Sequence, residues 1–321
     1  MQFLKSETQF DFVRWMKPAT IFSSLMIVAA LILIFTKGFN YGIDFAGGVE
    51  MRVGLPNGVT TGEVRDAVGS LKLPSVDVAA FLIPDKNVFS IKAKGEENVV
   101  QAVGEAAQEE KLPDVAVLIN EKLGETFGKD KVEVISTDLV GPRVGKNLRR
   151  KGLLAILYSM AAILLYISFR FNMRYSPGAV IALMHDVIAV AGIFSLINHE
   201  ISLSVIAALL TVAGYSVNDT IIIMDRIREG HTVYRGQSIE KIVNNSINDT
   251  LSRTLLTSFT TFIVVLAIYV FGSEIIQDFA LSLLIGIFFG TYSTIFISTP
   301  IYIGLENFSL ARRKAARAAR K

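Results

Sequence analysis

The amino-acid sequence predicts an α-helical membrane protein of six transmembrane helices, with one α+β domain exposed to water between the first and second of them. Three observations lead there. The 321 residues are 51% hydrophobic and 19% charged, with a mean hydropathy of +0.48, whereas a soluble domain carries roughly 25% charged residues. Apolar runs of about 18 or more residues recur, enough at ~1.5 Å per residue to cross roughly 30 Å of hydrocarbon. One stretch, Lys37 to Lys151, is charged instead and interrupts the series after its first member.

Residues 1–17 form a charged N-terminal segment, and the first span runs from Pro18 to Thr36. It is too long for a signal-peptide core, and Lys37-Gly38-Phe39 lacks a small-x-small cleavage site, so it reads as an uncleaved anchor. Residues 37–152 form the inserted domain. The spans within 153–303 run from Leu153 to Phe169, Pro177 to Ile197, Ile201 to Ile223, Thr254 to Phe271 and Phe279 to Ile303. Residues 224–253 connect the fourth and fifth spans. Residues 304–321 form a basic tail with Arg312, Arg313, Lys314, Arg317, Arg320 and Lys321, which fits a membrane surface better than nucleic acid.

Basic residues set the orientation. Arg170 and Arg174 lie between spans two and three, and Arg226, Arg228, Arg235, Lys241 and Arg253 lie between spans four and five, which makes those loops cytoplasmic. The alternate loops, Asn198-His199-Glu200 and Gly272 to Asp278, contain no Lys or Arg. Both termini are therefore expected in the cytoplasm and the inserted domain outside. Arg149-Arg150-Lys151 breaks the pattern, but it ends a long loop, and long domains cross regardless of charge. With no cysteine, the fold has no disulfide, no thiol chemistry and no Cys-based metal site.

The inserted domain reads as a strand at Val49–Leu55, a helix at Thr61–Leu71, strands at Val76–Ile83 and Val88–Ala93, a helix from Asn98 to Lys111 extending toward Phe127, and a strand at Val132–Asp138. That order is the split, ferredoxin-like arrangement of an α+β sandwich. Pro56-Asn57-Gly58 supplies a turn between strand and helix, and Pro84-Asp85-Lys86-Asn87 supplies a hairpin turn.

Ionisable residues inside a span cost roughly 2.5 to 3.5 kcal/mol each at its centre and usually face the bundle interior, so each requires a reason. Span three carries His185-Asp186 near its middle, span four ends with Gly214-Tyr215-Ser216-Val217-Asn218-Asp219-Thr220, and Arg253 begins span five. Asp219 can act as a proton carrier or as a structural carboxylate near an interface, since Ile223 at the expected span end is only about 6 Å away. Arg253 can be its counter-charge or a positive-inside anchor. Asn218 can supply Asp219 with an amide hydrogen bond or make an interhelical contact. His185 and Asp186 stand about 100° apart on a helix and so address different neighbours, in a relay or a packing role. Asp44, Gly47 and Gly48 read as a turn feeding the first strand, since glycine permits φ > 0 and Asp favours turns, with a transport element as the alternative.

Several segments resemble the SecF family of Sec translocase accessory subunits. Tyr41-Gly42-Ile43-Asp44-Phe45-Ala46-Gly47-Gly48 resembles its Gly-x-Asp-Phe-x-Gly-Gly signature. Val140-Gly141-Pro142-x-Val144-Gly145, Ala182-Leu183-Met184-His185-Asp186-Val187, Tyr215-Ser216-Val217-Asn218-Asp219-Thr220 through Glu229, and Thr250-Leu251-Ser252-Arg253-Thr254-Leu255 follow in the same order. Asp-Phe in the signature and the modest inserted domain favour SecF over SecD; Ala46 and Val49 depart from the family's threonines. The resemblance implies half of a bundle of the resistance-nodulation-division (RND) superfamily, paired with SecD and driven by the proton-motive force. It implies a place in the bacterial inner membrane and a role late in protein export, alongside the SecYEG channel, YajC, the unfolded exported chain and membrane lipids. Asp219 then takes the place of the family's transport carboxylate. An independent RND-type exporter of small molecules or lipids is the alternative.

Gly286 and Gly290 form a small-xxx-small pair for close helix packing, within the chain or against SecD. The segment Asp225–Ser252 reads as an interfacial amphipathic helix. His199 with Glu200 has no further ligand at metal spacing and His231 stands alone, so no metal site is expected. No serine joins the histidines in a nucleophile constellation, so the chain is expected to be no enzyme and to need no cofactor.

Overall fold

The computed structural model describes residues 9–71, 73, 75–83, 86–94, 105–170 and 176–318. Pro84 and Asp85 of the expected hairpin turn, the expected helix start at Asn98, Arg174 and the last residues of the basic tail lie outside them. The described residues divide into a helical unit, residues 1–39, 155–199 and 204–321, and a sheet unit, residues 40–154 and 200–203.

The chain opens with α1 (Phe12–Thr36) of the helical unit and then enters the sheet unit. There it forms β1 (Asn40–Tyr41), α2 (Ile43–Ala46), β2 (Gly48–Leu55), α3 (Thr61–Gly69), β3 (Val76–Ile83), β4 (Lys86–Lys94), α4 (Glu105–Phe127) and β5 (Glu133–Val140). Four strands form one antiparallel sheet in the order β3-β4-β2-β5. This order is the ferredoxin-like arrangement, with β4 seated between β2 and β3 as the split β-α-β unit requires. Alternation along β2 sends Val49, Met51, Val53 and Leu55 to one face. They meet Phe89 and Ile91 of β4, Val64 and Val68 of α3, and Ile119 and Leu123 of α4. Thr60 opens α3 with a reciprocal capping box to Glu63.

Two residues of the chain's later part complete this unit: β6 (Glu200–Ile201) pairs in parallel with β1, Asn40 opposite Glu200 and Tyr41 opposite Ile201. The glycine pair has a steric cause. Gly47 (φ +80°) lies so that a Cβ would come 2.8 Å from the Pro142 Cα, and at Gly48 (φ +144°) it would collide with the Ala93 carbonyl.

Among the described residues, six helices are long and apolar enough to cross a membrane. They are α1, α5 (Pro142–Arg170), α6 (Ser176–Leu196), α7 (Leu203–Val233), α8 (Ile239–Phe271) and the run of α9 (Glu274–Ser293), a π-helical turn (Thr294–Ser298) and α10 (Thr299–Ala318). Within the helical unit α6, α7 and α9 are the inner helices, while α1, α5 and α8 leave most of their apolar surface open.

Close approaches fall at small residues. Gly192 of α6 rests on Ala30 of α1, Gly178 of α6 on the Ser298 backbone of the π turn, and Gly286 and Gly290 of α9 on Val212 and Ser216 of α7. The small-xxx-small pair of span six thus serves packing within this chain.

Several element limits differ from expectation. The first helix begins at Phe12, capped by Asp11, with Pro18 inside it. The expected interfacial helix Asp225–Ser252 is absent as a separate element. Instead α7 runs on to Val233, and α8 begins at Ile239 behind the Ser238 cap and continues to Phe271. The amphipathic pattern comes from the two helix ends packing on each other: Ile227, Val243 and Ile247 are buried together, and Arg226 bridges to Asp249 at 2.7 Å. Asn244 and Asn248 receive the incoming chain, bonding the backbone of Phe10 and Phe12. The tail is helical through Ala318.

Candidate functional site

Two buried carboxylates lie where α6, α7, α8 and α9 face one another. Asp186 of α6 is fully buried. Its Oδ2 accepts hydrogen bonds from Ser216 Oγ of α7 (2.5 Å) and Ser293 Oγ of α9 (2.8 Å), and its Oδ1 lies 3.0 Å from His185 Nδ1. One side chain thereby joins three helices. The His185 ring packs between Phe289 and Tyr292 of α9, and Tyr292 in turn donates to the Ala19 carbonyl of α1 and accepts from Ser23. His185 Nε2 is buried with no hydrogen-bond partner among the described residues.

Their angular separation predicts different neighbours for His185 and Asp186, and in part they have them. They also bond each other, because Nδ1 lies on the backbone side of the imidazole, within reach of the next residue's short side chain.

Asp219 of α7 is 1% exposed. Its Oδ2 accepts from Ser258 Oγ of α8 at 3.3 Å, and Ser258 Oγ lies 2.8 Å from Thr291 Oγ1 of α9. Its Oδ1 is buried with no hydrogen-bond partner among the described residues. Ser216, three residues before Asp219, shares its helix face, so α7 presents one acid and the ligand of the other along one stripe. Thr220 extends the stripe to Thr294 at the start of the π turn, at 3.0 Å. π turns inside α-helices recur at functional sites, and this one places Ser293 and Thr294 against both acids' surroundings.

The remaining candidates part from Asp219. Asn218 is exposed, one helix step away from the buried face, and makes no bond to Asp219. Arg253 is also exposed, and among the described residues no ion pair joins it to Asp219. Asp219 is deeper in its helix than the expected span end at Ile223 implied, because α7 continues to Val233.

Asp44 has a different role from a local turn cap. Its Oδ2 accepts the backbone N–H of Leu203, the first residue of α7, at 2.9 Å. Gly47 and Gly48 act as backbone positions with no side-chain chemistry. Two histidines gain partners that their isolation in the sequence concealed: His199 Nε2 lies 2.7 Å from Asp278 Oδ1, and His231 Nε2 lies 2.7 Å from the hydroxyl of buried Tyr302. No three His, Cys, Asp or Glu side chains converge on a metal-sized site among the described residues.

Sequence reasoning missed Ser258 and Ser293, and it included Ser216 in the candidate segment of span four without giving it a role. Serine is common in membrane helices, and only packing brings these hydroxyls to the acids; their sequence neighbourhood with Asp219 and the glycines of α9 is the sole hint.

Residues 119–307 match the family described as protein export membrane protein SecD/SecF, C-terminal, and residues 32–55 match the SecD/SecF GG motif. The protein translocase subunit SecF of Magnetococcus marinus is 42% identical over 98% of this chain and 97% of its own length. That of Rhodothermus marinus is 37% identical over 96% of this chain and 97% of its own. The crystal structure of SecDF, a translocon-associated membrane protein from Thermus thermophilus, superposes with a TM-score of 0.79 at 32% identity over 95% of this chain. SecDF in its super-membrane-facing form gives 0.68 at 34% identity over 98%. In both cases the chain spans 40% of the solved chain.

Proposed function

The chain belongs to the SecD/SecF family of protein-export membrane proteins, and from that membership we propose that it is the SecF-type subunit of the Sec translocase accessory complex, coupling proton movement to export. It is a multi-pass membrane protein of protein transport. SecD is its partner in this reading: the chain covers two-fifths of SecDF chains, which leaves room for a second helical half. That proportion favours half of a joint unit over an independent exporter. The SecYEG channel, YajC, the exported polypeptide and lipids are the further partners. The subunit acts by moving, without a chemical conversion, from the inner membrane with both termini in the cytoplasm.

The observation that carries the proton assignment is Asp219, a carboxylate inside the helical unit with one serine hydroxyl on Oδ2 and a bare Oδ1. Such a group has room to take a proton without breaking an existing network, unlike Asp186, whose oxygens are already held by three side chains. Asp186 and His185 then form the static partner that fixes α6, α7 and α9 around the moving charge. Arg253 is the counter-charge at the subunit's open surface, and exposed Asn218 belongs to the surface offered to SecD. One charge crossing the membrane potential supplies about 2.3 kcal/mol per 100 mV, enough for few protons to bias a conformational equilibrium.

The test is Asp219→Asn in vesicles reconstituted with SecD and the channel. Proton-driven export falls to the level seen without a gradient, while assembly with SecD is retained. Export at the original rate in an assembled complex would sink the assignment.

A further inference from the structure

Three buried polar atoms without a side-chain or backbone partner follow one another along a single seam of the helical unit. Asp219 Oδ1 is the middle one. On α7, Tyr215 stands one turn before Asp219 and shares its face. The Tyr215 ring packs against Val212, Val265, Leu283 and Ile287, which come from α7, α8 and α9, and its hydroxyl is buried with no hydrogen-bond partner among the described residues. On α8, Thr254 stands one turn before Ser258, the residue that bonds Asp219. Thr254 is fully buried, and its Oγ1 likewise has no partner among the described residues. The two helices are antiparallel, since Asp219 meets Ser258 and, further along α7, Arg226 meets Asp249. Tyr215 and Thr254 therefore lie on opposite sides of Asp219 along the seam, Thr254 toward the turn that joins α7 to α8 and Tyr215 away from it.

Donors are scarce at Asp219. A hydroxyl has a single proton to give. That of Thr291 goes to the Ile287 carbonyl at 2.9 Å, so Ser258 divides its own between Thr291 at 2.8 Å and Asp219 at 3.3 Å. A buried carboxyl with less than one full donor is costly in its charged form. Buried polar groups that the protein leaves unmet are met by water, which takes roughly two to four polar partners. Asp219 Oδ1 with the Tyr215 hydroxyl offers two on one side, and Asp219 Oδ1 with Thr254 Oγ1 offers two on the other. Asp186 makes no such demand, because Ser216, Ser293 and His185 already occupy its oxygens.

We propose that Tyr215 and Thr254 are positioning residues that hold water against Asp219 from opposite sides, Tyr215 on the external side and Thr254 on the cytoplasmic side. This rests on the reading of Asp219 as the proton site and on the cytoplasmic placement of the α7–α8 turn. A hydronium held on one side gives its proton to Asp219 Oδ1 and becomes water; on the other side the carboxylic acid returns a proton to water. The test uses the full chain assembled with SecD in lipid vesicles. A pH step is applied on one side, and protonation of Asp219 is followed by the infrared C=O stretch that Asp219→Asn removes. Tyr215→Phe slows protonation about tenfold after an external step only, and Thr254→Val does so after a cytoplasmic step only, the size expected when a transfer step loses one hydrogen bond. Thr254→Ser, which keeps the oxygen, keeps the rate. Should Tyr215→Phe fail to assemble with SecD, the two Thr254 variants carry the comparison. Unchanged rates, or equal slowing from both sides as a packing defect would give, overturn the proposal and leave the Asp219 reading standing. A spectrum in which Asp219→Asn removes no band overturns that reading and the proposal with it.

Discussion

Asp186 and Asp219 are both withdrawn from solvent, but their hydrogen-bond shells differ in kind. Asp186 has serine hydroxyls from two other helices and its neighbouring imidazole, and Asp219 has one long bond from Ser258. Removing Asp186 leaves Ser216 and His185 without that acceptor and Ser293 with only the Gly290 carbonyl at 3.3 Å, and an orphaned buried polar group costs about 1 to 3 kcal/mol. Asp186→Ala is expected to lower the thermal unfolding midpoint in detergent well below that of Asp219→Asn, whose amide oxygen can still accept from Ser258.

Glu200 gives a pH dependence of defined sign. Burial alone would raise its pKa, but Lys92 and Lys94 outweigh that and hold it below the ordinary 4.5. The folded state therefore binds its proton less readily than the unfolded chain. The stabilisation is complete above the ordinary value and is lost as pH falls through the lowered one. The unfolding difference between the wild-type chain and Glu200→Gln should be constant near neutrality and shrink only in strong acid.

Among the elements, the approach of α9 to α7 has the least tolerance. A side chain at Gly286 would occupy the space of Val212, and one at Gly290 would press on Ser216. Gly286→Val should cost about 1 to 3 kcal/mol by overpacking against Val212, read as a lower unfolding midpoint. The sheet's periodicities are legible in the order of residues alone: Val49 to Leu55 alternate, and Thr60 with Glu63 announces a helix start. The ends of α7 and α8 are not, because a charged, apolar-spaced stretch has the same pattern whether it lies on a lipid surface or packs against its neighbour. Ile227 against Val243 and Ile247 decides the second.

At the scale of the whole chain, six apolar helices leave the faces of α1, α5 and α8 open, with Phe22, Leu157, Phe259 and Val264 among the exposed side chains. Lipid covers such faces in any membrane protein, but a family whose solved members carry two and a half times this length in one chain points to a second bundle. Extraction in mild detergent should therefore yield a complex with the SecD-type chain, and the isolated subunit should self-associate or lose stability. Recovery of a stable monomer alone would count against that arrangement.

The sequence by itself determined the number of apolar spans, the inserted ferredoxin-like domain and the presence of Asp186 and Asp219 inside spans. Length against the hydrocarbon thickness, strand and helix periodicity, and the cost of charge in a span are all local properties. Tertiary structure alone decided that Ser216 and Ser293 hold Asp186, that Ser258 holds Asp219, that Asp44 accepts the Leu203 N–H and that Glu200 pairs with Lys92 and Lys94. Those contacts join residues 30 to 159 positions apart. A serine or an aspartate has the same local pattern whatever it will eventually meet, and its partner exists only once the helices have packed.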